Sequence, residues 1–353
     1  MVPVMLPSLP TAEILLPYLQ RIDESHWYSN FGPLYLECLD RLASYFDVET
    51  SNLLLVANGT LALQAAISTV GFEGDTWGLP SWTFAATGHA VVAARRTPHF
   101  VDVEPDTWCM SPNAAARFDG NLIVSPFGDR PRVEQWGCVP GPKVFDAASC
   151  FDSCAAIGPD LSDEMMVMIS MHATKALPAG EGAILIGPKD WIRRAQVWSN
   201  FGFSDRRVAD FPGSNAKLSE YHCAVALASM DGWADRLRYE RSRIEVALTL
   251  TESLGLQSAP GFARGFASNT WNITFSSPQN ARVAERELES QGFETRRWWP
   301  VGLHEMEAFR ALKRDRLSVT ERLAATTLGL PFGPHVTEGN VWSLGAILEF
   351  ASR

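Results

Sequence analysis

Long apolar runs are missing from this sequence: nowhere do about 18 uninterrupted apolar residues occur, the least a helix needs to cross a bilayer. The N-terminus, MVPVMLPSLPTAEILLPYL, lacks a basic stretch and has three prolines in its first ten residues, so it reads neither as a signal peptide nor as a span. Positive charge is also short. Thirty Lys and Arg stand against 40 Asp and Glu, a net charge of −10, which argues against a general nucleic-acid or anionic-membrane surface. An anionic substrate therefore needs a local basic pocket. The six cysteines are scattered in a chain without an export signal, which predicts reduced, mostly buried thiols in the cytoplasm. Cys150 and Cys154 form a C-x3-C pair, but no second Cys or His pair lies at zinc-ligand spacing, so no metal is expected. Repeats and low-complexity tracts are missing too.

What is present is an ordinary globular composition, 46% hydrophobic and 20% charged over 353 residues. Single cores stop growing at about 250–300 residues, so two lobes are expected, residues 1–235 and 236–353. Apolar periodicity alternates between strand and helix. Strands are read at Leu53–Ala57, Thr76–Leu79, His99–Val103, Leu122–Ser125 and Lys143–Asp146, with helices at Tyr35–Phe46, Leu61–Val70 and Trp82–Ala94. That alternation implies an α/β fold with a mostly parallel sheet covered on both faces, where ligands bind beyond the C-terminal strand ends. Farther on, helices are expected at Asp190–Trp198, Leu218–Met230 and Trp233–Glu252. The second lobe then reads as strand Thr270–Phe275, helix Ala281–Gln291, strand Thr295–Trp299, and helices at Glu305–Leu312, Val319–Leu328 and Thr337–Phe350.

The stretch Met165–Gly187 organises the rest. Two buried strands, Met165–Ile169 and Ala183–Gly187, flank a turn that carries Lys175. Burial disfavours the ammonium form, which is what an amine needs to attack a carbonyl and form a Schiff base. A solvated turn lysine fits the same spacing. Four further features fall at strand ends. Asn58-Gly59-Thr60 opens a helix straight after a strand, a phosphate cup or a plain helix cap. Asp146 ends a buried strand, where a carboxylate can hold a pyridine nitrogen protonated or cap the following turn. Trp82 starts a helix, positioned to stack on a planar ring or to fill the core. Ser170 and Asn215 sit at turns, able to bind a phosphate or to do routine turn chemistry.

Ordered blocks from Trp27 to Phe350 resemble the DegT/DnrJ/EryC1/StrS family of sugar aminotransferases dependent on pyridoxal 5'-phosphate (PLP). They include NFGPLYLECLDRLASYF, NGTLAL, LPSWTFAATGHAV, FVDVEPDTW, FDAAS, SMHATKALPAGEGA, GSNAKLSE and LGLPFGPHVT. The resemblance implies an aspartate-aminotransferase-like (fold type I) large domain with a smaller α+β C-terminal domain, assembled as a homodimer with shared sites. It implies Lys175 as the Schiff-base lysine, Asp146 as the pyridine partner and Trp82 as the ring stacker. Gly59, Thr60 and Ser170 would bind the phosphate, with Asn215 arriving from the partner subunit. Ser149 stands where the family carries Gln or His beside the ring hydroxyl, Asn215-Ala216-Lys217 replaces Asn-Tyr-Arg, and Phe127-Gly128 replaces Tyr-Gly. The implied reaction moves the amino group of L-glutamate to a keto-sugar nucleotide, first a dTDP- or UDP-linked 4-keto-6-deoxyhexose. A 3-keto sugar, a same-fold dehydratase and a non-catalytic PLP-binding regulator are the rivals; some members with His at the lysine position dehydrate, so Lys175 favours transamination. The loop Trp27–Pro33, with Lys217, Arg206 and Arg207, is a candidate frame for the nucleotide-sugar, and solvation at the surface fits those arginines equally well.

Overall fold

A computed structural model describes residues 1–352. Strands β1 (Leu53–Val56), β2 (Thr76–Pro80), β3 (Thr97–Val101), β4 (Gly120–Val124), β5 (Lys143–Asp146), β6 (Met165–Ser170) and β7 (Ala183–Ile186) build most of the main sheet. Of the later strands, β8 (Gln257–Ser258) and β9 (Trp271–Thr274) belong to a second sheet, β10 (Lys313–Arg314) returns to the edge of the first, and β11 (Thr327–Leu330) completes the second. The orders are β1-β7-β6-β5-β4-β2-β3-β10 and β11-β9-β8. In the main sheet β7 alone runs against its neighbours, because the chain leaving β6 turns straight back through residues 171–182.

Helices α1 (Ala12–Ser25), α2 (Pro33–Phe46), α3 (Gly59–Val70) and α4 (Ala85–Ala93) precede the one-turn α5 (Pro112–Ala115) and α6 (Lys189–Ser199). Next come α7 (Glu220–Asp231), α8 (Trp233–Ser253), the one-turn α9 (Pro260–Ala263), α10 (Pro278–Ser290), α11 (Ser318–Thr326) and α12 (Glu338–Ser352). Period-2 alternation sorts the strand residues between two layers. Leu53, Leu55, Phe145, Val167, Ile169 and Ile184 face α2 and α7, while Leu54, Val56, Val144, Met166, Met168 and Leu185 face α3, α4 and α6. Both faces being covered, β4 to β7 are buried along their whole length, which is why β6 and β7 read as near-continuous apolar runs.

A third core, with Ile244, Phe262, Trp271, Ile273, Leu288 and Leu344, sits between the small sheet and α8, α10 and α12. The boundary expected at 235/236 falls inside α8, and Val2 bridges to Phe293, so the first residues attach to the second lobe. In the second lobe three expected elements differ. The strand Thr295–Trp299 is reduced to a bridge between Arg296 and Gly329. The helix Glu305–Leu312 is a single 3-10 turn, Leu303–Glu305, and bends, since the chain must return to pair β10 with β3. The helix Val319–Leu328 ends at Thr326, where pairing with β9 takes over its last two residues. Among the described residues no helix is long and apolar enough to cross a membrane, and no group of three His, Cys, Asp or Glu could hold a metal.

Candidate active site

The C-terminal ends of β5 and β6, the start of α3 and the 171–182 turn border one cavity of about 650 Å³, within the range of small-ligand sites. Lys175, Asp146, Gly59, Thr60, Ser149 and Ser170 all line it.

The turn that carries Lys175 is held by its own backbone. Met171 N–H donates to Gly182 O (2.8 Å), Ala179 N–H to Met171 O (2.7 Å) and Lys175 N–H to His172 O (2.8 Å). Gly180 has φ 84°, a left-handed conformation that glycine adopts without strain. Lys175 Nζ donates to Ser149 Oγ at 2.9 Å. Part of the residue faces the cavity, yet desolvation holds its amine below the ordinary lysine range, opposed by the charge of Asp146. This is not a solvated turn lysine.

Asp146 is the last residue of β5 and is 7% exposed. Its Oδ2 accepts from Thr87 Oγ1 at 2.7 Å, and Thr87 Oγ1 is paired at 2.7 Å with Thr83 Oγ1. Oδ1 accepts from Ala148 N–H at 3.3 Å. Burial pushes the carboxyl up, while the Thr87 hydrogen bond and the charge of Lys175 pull it down. No helix follows Asp146, so capping is limited to that one turn contact.

At the start of α3, Asn58 Oδ1 accepts from Leu61 N–H at 2.9 Å as the helix N-cap. Cap and phosphate cup are therefore not alternatives. The first N–H groups of a helix lack intrahelical acceptors, and here they open on the cavity at the positive end of the helix dipole. A Cβ on Gly59 would stand 3.2 Å from Met168 Sδ, so glycine lets α3 approach β6 closely. Ser170 Oγ accepts from His172 N–H at 3.2 Å, leaving its own proton to donate into the cavity.

Trp82 requires a correction. The helix begins at Ala85, not Trp82, and Trp82 is 2% exposed, edge-on to Trp108 and Trp299 with ring centroids at 6.4 and 5.0 Å. It does not line the cavity; Phe84, 64% exposed, does. The reason is local. Thr83 N–H closes a tight turn on Ser81 O, and extended backbone at Phe84 swings that ring outward as Trp82 turns in. Truncating the two rings should separate their roles. Trp82→Ala is expected to cost about 3–5 kcal/mol of folding stability, the usual loss for a buried aromatic. Phe84→Ala should leave the melting temperature nearly unchanged and weaken cofactor binding about tenfold, read by fluorescence titration. Equal losses of stability would place both rings in the core.

Asn215 lies outside the cavity of its own chain, bridged to Asn200, with Oδ1 accepting from Lys217 Nζ at 2.8 Å. Lys217 also reaches Asn200 Oδ1 at 3.0 Å and stands 4.5 Å over the Phe201 ring. Arg206, Arg207, Trp27 and Tyr28 are exposed, and the chain's own cavity does not include them. Sequence reasoning missed Phe84, Trp298, Trp299, Ser268 and Thr270, which do line it. For Phe84 the signal was its place two residues beyond Trp82 in a turn. The other four come from lobe packing, which leaves no local pattern.

Comparison with known proteins places this geometry. The profile of the DegT/DnrJ/EryC1/StrS aminotransferase family matches residues 11–349. The dTDP-4-amino-4,6-dideoxy-D-glucose transaminase of Escherichia coli is 28% identical over 242 residues, covering 65% of this chain and 64% of that protein. The structure of DesI in the presence of its TDP-sugar product superposes with a TM-score of 0.87 at 28% identity, over 100% of this chain and 93% of that one. A Bacillus cereus protein assigned to the PLP-dependent aminotransferases superposes at 0.86 with 27% identity, over 98% of this chain and 99% of that one. The donor set fits the cofactor that such enzymes use: a desolvated amine, a buried carboxylate, a helix N-terminus and an outward aromatic ring share one cavity. The chain belongs to the DegT/DnrJ/EryC1/StrS aminotransferase family and is a PLP-dependent aminotransferase.

Proposed function

We propose that this enzyme moves the amino group of L-glutamate to a keto-sugar carried on a nucleoside diphosphate, first a dTDP-linked 4-keto-6-deoxyhexose. The observation that carries this reading is the meeting of Lys175 Nζ, hydrogen-bonded to Ser149, and the buried Asp146 carboxylate in the cavity that α3 opens on. Relatives that act on or hold TDP-linked sugars support the substrate class.

Each residue has a definite task in this scheme. Lys175 Nζ, kept neutral more readily by burial, would move protons between the cofactor's C4′ carbon and the substrate carbon, glutamate Cα in one half-reaction and the sugar carbon that receives the amine in the other. Asp146, buried at the end of β5, would hold a proton on the pyridine nitrogen. The N–H groups of Gly59 and Thr60, with the Thr60 and Ser170 hydroxyls, would hold the phosphate. Phe84, exposed on the cavity wall, would stack on the cofactor ring. When bound, PLP supplies the electron sink that stabilises charge on the carbon losing its proton.

The opposite wall suits a deoxysugar. Phe127 and Trp299 stack on each other with centroids 4.3 Å apart and, with Trp298, line the cavity with apolar surface suited to a ring's C–H groups. Lys175 and His172 are the only basic side chains on the cavity's walls among the described residues, too few for a diphosphate. The reading therefore includes a homodimer in which Asn215, Lys217, Arg206 and Arg207 of one protomer face the cavity of the other. Glutamate with dTDP-4-keto-6-deoxyglucose should yield 2-oxoglutarate and a dTDP-amino sugar in equal amounts, followed by coupled assay and mass spectrometry. Turnover with a 3-keto isomer alone would move the site of amination, and no 2-oxoglutarate with any keto-sugar nucleotide would end the proposal.

A further inference from the structure

The lysine turn is clamped from the second lobe. Asn269 stands between Ser268 and Thr270, two residues that line the cavity with their hydroxyls 3.1 Å apart, while Asn269 itself does not line it. Its Nδ2 donates to Thr174 O at 3.1 Å and to Lys175 O at 3.0 Å, so one amide grips the backbone at the catalytic lysine and the residue before it. The orientation of that amide is fixed by chemistry. Oδ1 accepts from Arg236 Nη2 at 3.1 Å, and because a guanidinium can only donate, the oxygen must face Arg236 and the NH2 group the two carbonyls. Arg236 is fixed in turn, with Nε on Glu240 Oε1 at 3.0 Å one turn farther along α8, and Glu240 is fully buried.

The backbone at Asn269 bears a cost for this arrangement. Its φ is 58°, a left-handed conformation that asparagine tolerates better than most residues, in a side chain only 5% exposed. Within the turn, the backbone bonds described above close the loop on itself and leave the carbonyls of Thr174 and Lys175 to the second lobe. A chain of donors and acceptors thus runs from α8 through Asn269 to the lysine.

We propose that Asn269 is a positioning residue for Lys175: it sets the direction of the amine by holding the two carbonyls at its base, and Arg236 sets Asn269. The proposal rests on Lys175 being the catalytic amine. It goes beyond that assignment by making the reach of Lys175 depend on the seating of the second lobe.

Two variants of the full-length, cofactor-loaded enzyme test it. Asn269→Gly accepts the left-handed backbone and deletes the amide. Asn269→Asp keeps the acceptor for Arg236 and turns an oxygen toward two carbonyl oxygens. Both should fold and lose about 10- to 100-fold in kcat, the scale of a misplaced reacting group, with KM for glutamate changed less than about threefold. In cofactor-free protein, hydrogen–deuterium exchange should speed up in the peptide spanning residues 171–182 while the peptide covering β4 is unchanged. Arg236→Gln should move both readings the same way, less far. Turnover near wild type in both Asn269 variants, a loss confined to KM, or unchanged exchange in the 171–182 peptide would overturn the proposal. Lys175→Ala run alongside keeps the failures apart: if it too turns over normally, the lysine assignment has failed, and if it alone is inactive, only the clamp has.

Discussion

Replacing Lys175 by alanine is expected to lower turnover by about 10⁴-fold, the upper end of what a positioned proton-transfer group contributes. The protein should stay folded, because the side chain's hydrogen bond is to Ser149 and its removal relieves a desolvated amine. Borohydride reduction in the presence of PLP gives a direct reading. The wild-type peptide that contains Lys175 should gain the pyridoxyl mass and the variant's peptide should not. A label that persists on another lysine would mean that a different amine does the chemistry. The depressed amine also carries a stability signature with a definite sign. Since its native pKa lies below the unfolded value, the unfolded chain binds more protons across that window, and stability rises with pH there. Cofactor-free wild type should therefore gain stability as pH rises toward the ordinary lysine range, and Lys175→Ala should lose that part of the slope.

The serine beneath the amine shows how far sequence reading went. Ser149 is marked by the family resemblance as a departure from Gln or His, but its consequence is not, because a hydroxyl accepting from Lys175 Nζ depends on how the β5 turn and the β6–β7 turn meet. Strand-end residues were legible for a simpler reason. A parallel sheet built from short apolar runs puts whatever follows each run at one edge, so Asp146, Ser170 and Gly59 fall around one cavity once the strand assignments are right. Trp82 was misplaced because apolar pattern does not tell a helix start from the turn before it. Two residues of turn reversed which ring faces the cavity. The second lobe was least legible. Trp298 and Trp299 were read as a strand, and Ser268, Asn269 and Thr270 acquire their roles only from contacts between segments about a hundred residues apart. Asn215 remains a proposal of another kind, since its place in a second chain's cavity is a property of an assembly.

Asp146→Asn should damage turnover far more than folding. Asparagine keeps an acceptor for the Thr87 hydroxyl and is close to isosteric, so the packing at the end of β5 survives. The charge proposed to keep the pyridine nitrogen protonated does not, and kcat should fall about 10³-fold, as when one preorganised electrostatic partner is removed. Two pH readings follow from the burial of this carboxyl. Its native pKa is raised, so the stability it contributes is fully present below the ordinary carboxylate range and is lost as pH rises through the native value. At neutral pH wild type bears that loss, and cofactor-free Asp146→Asn should melt no lower than wild type, with any advantage shrinking as the solution is acidified. The second reading is at Lys175, whose amine the Asp146 charge holds up against desolvation. Without that charge the lysine pKa falls further. Competitive acylation followed by mass spectrometry should then find Lys175 reactive at lower pH than in wild type. A variant that loses stability in step with activity, with the Lys175 labelling profile unmoved, would make Asp146 a structural turn residue and would separate it from the amine 29 positions along the chain.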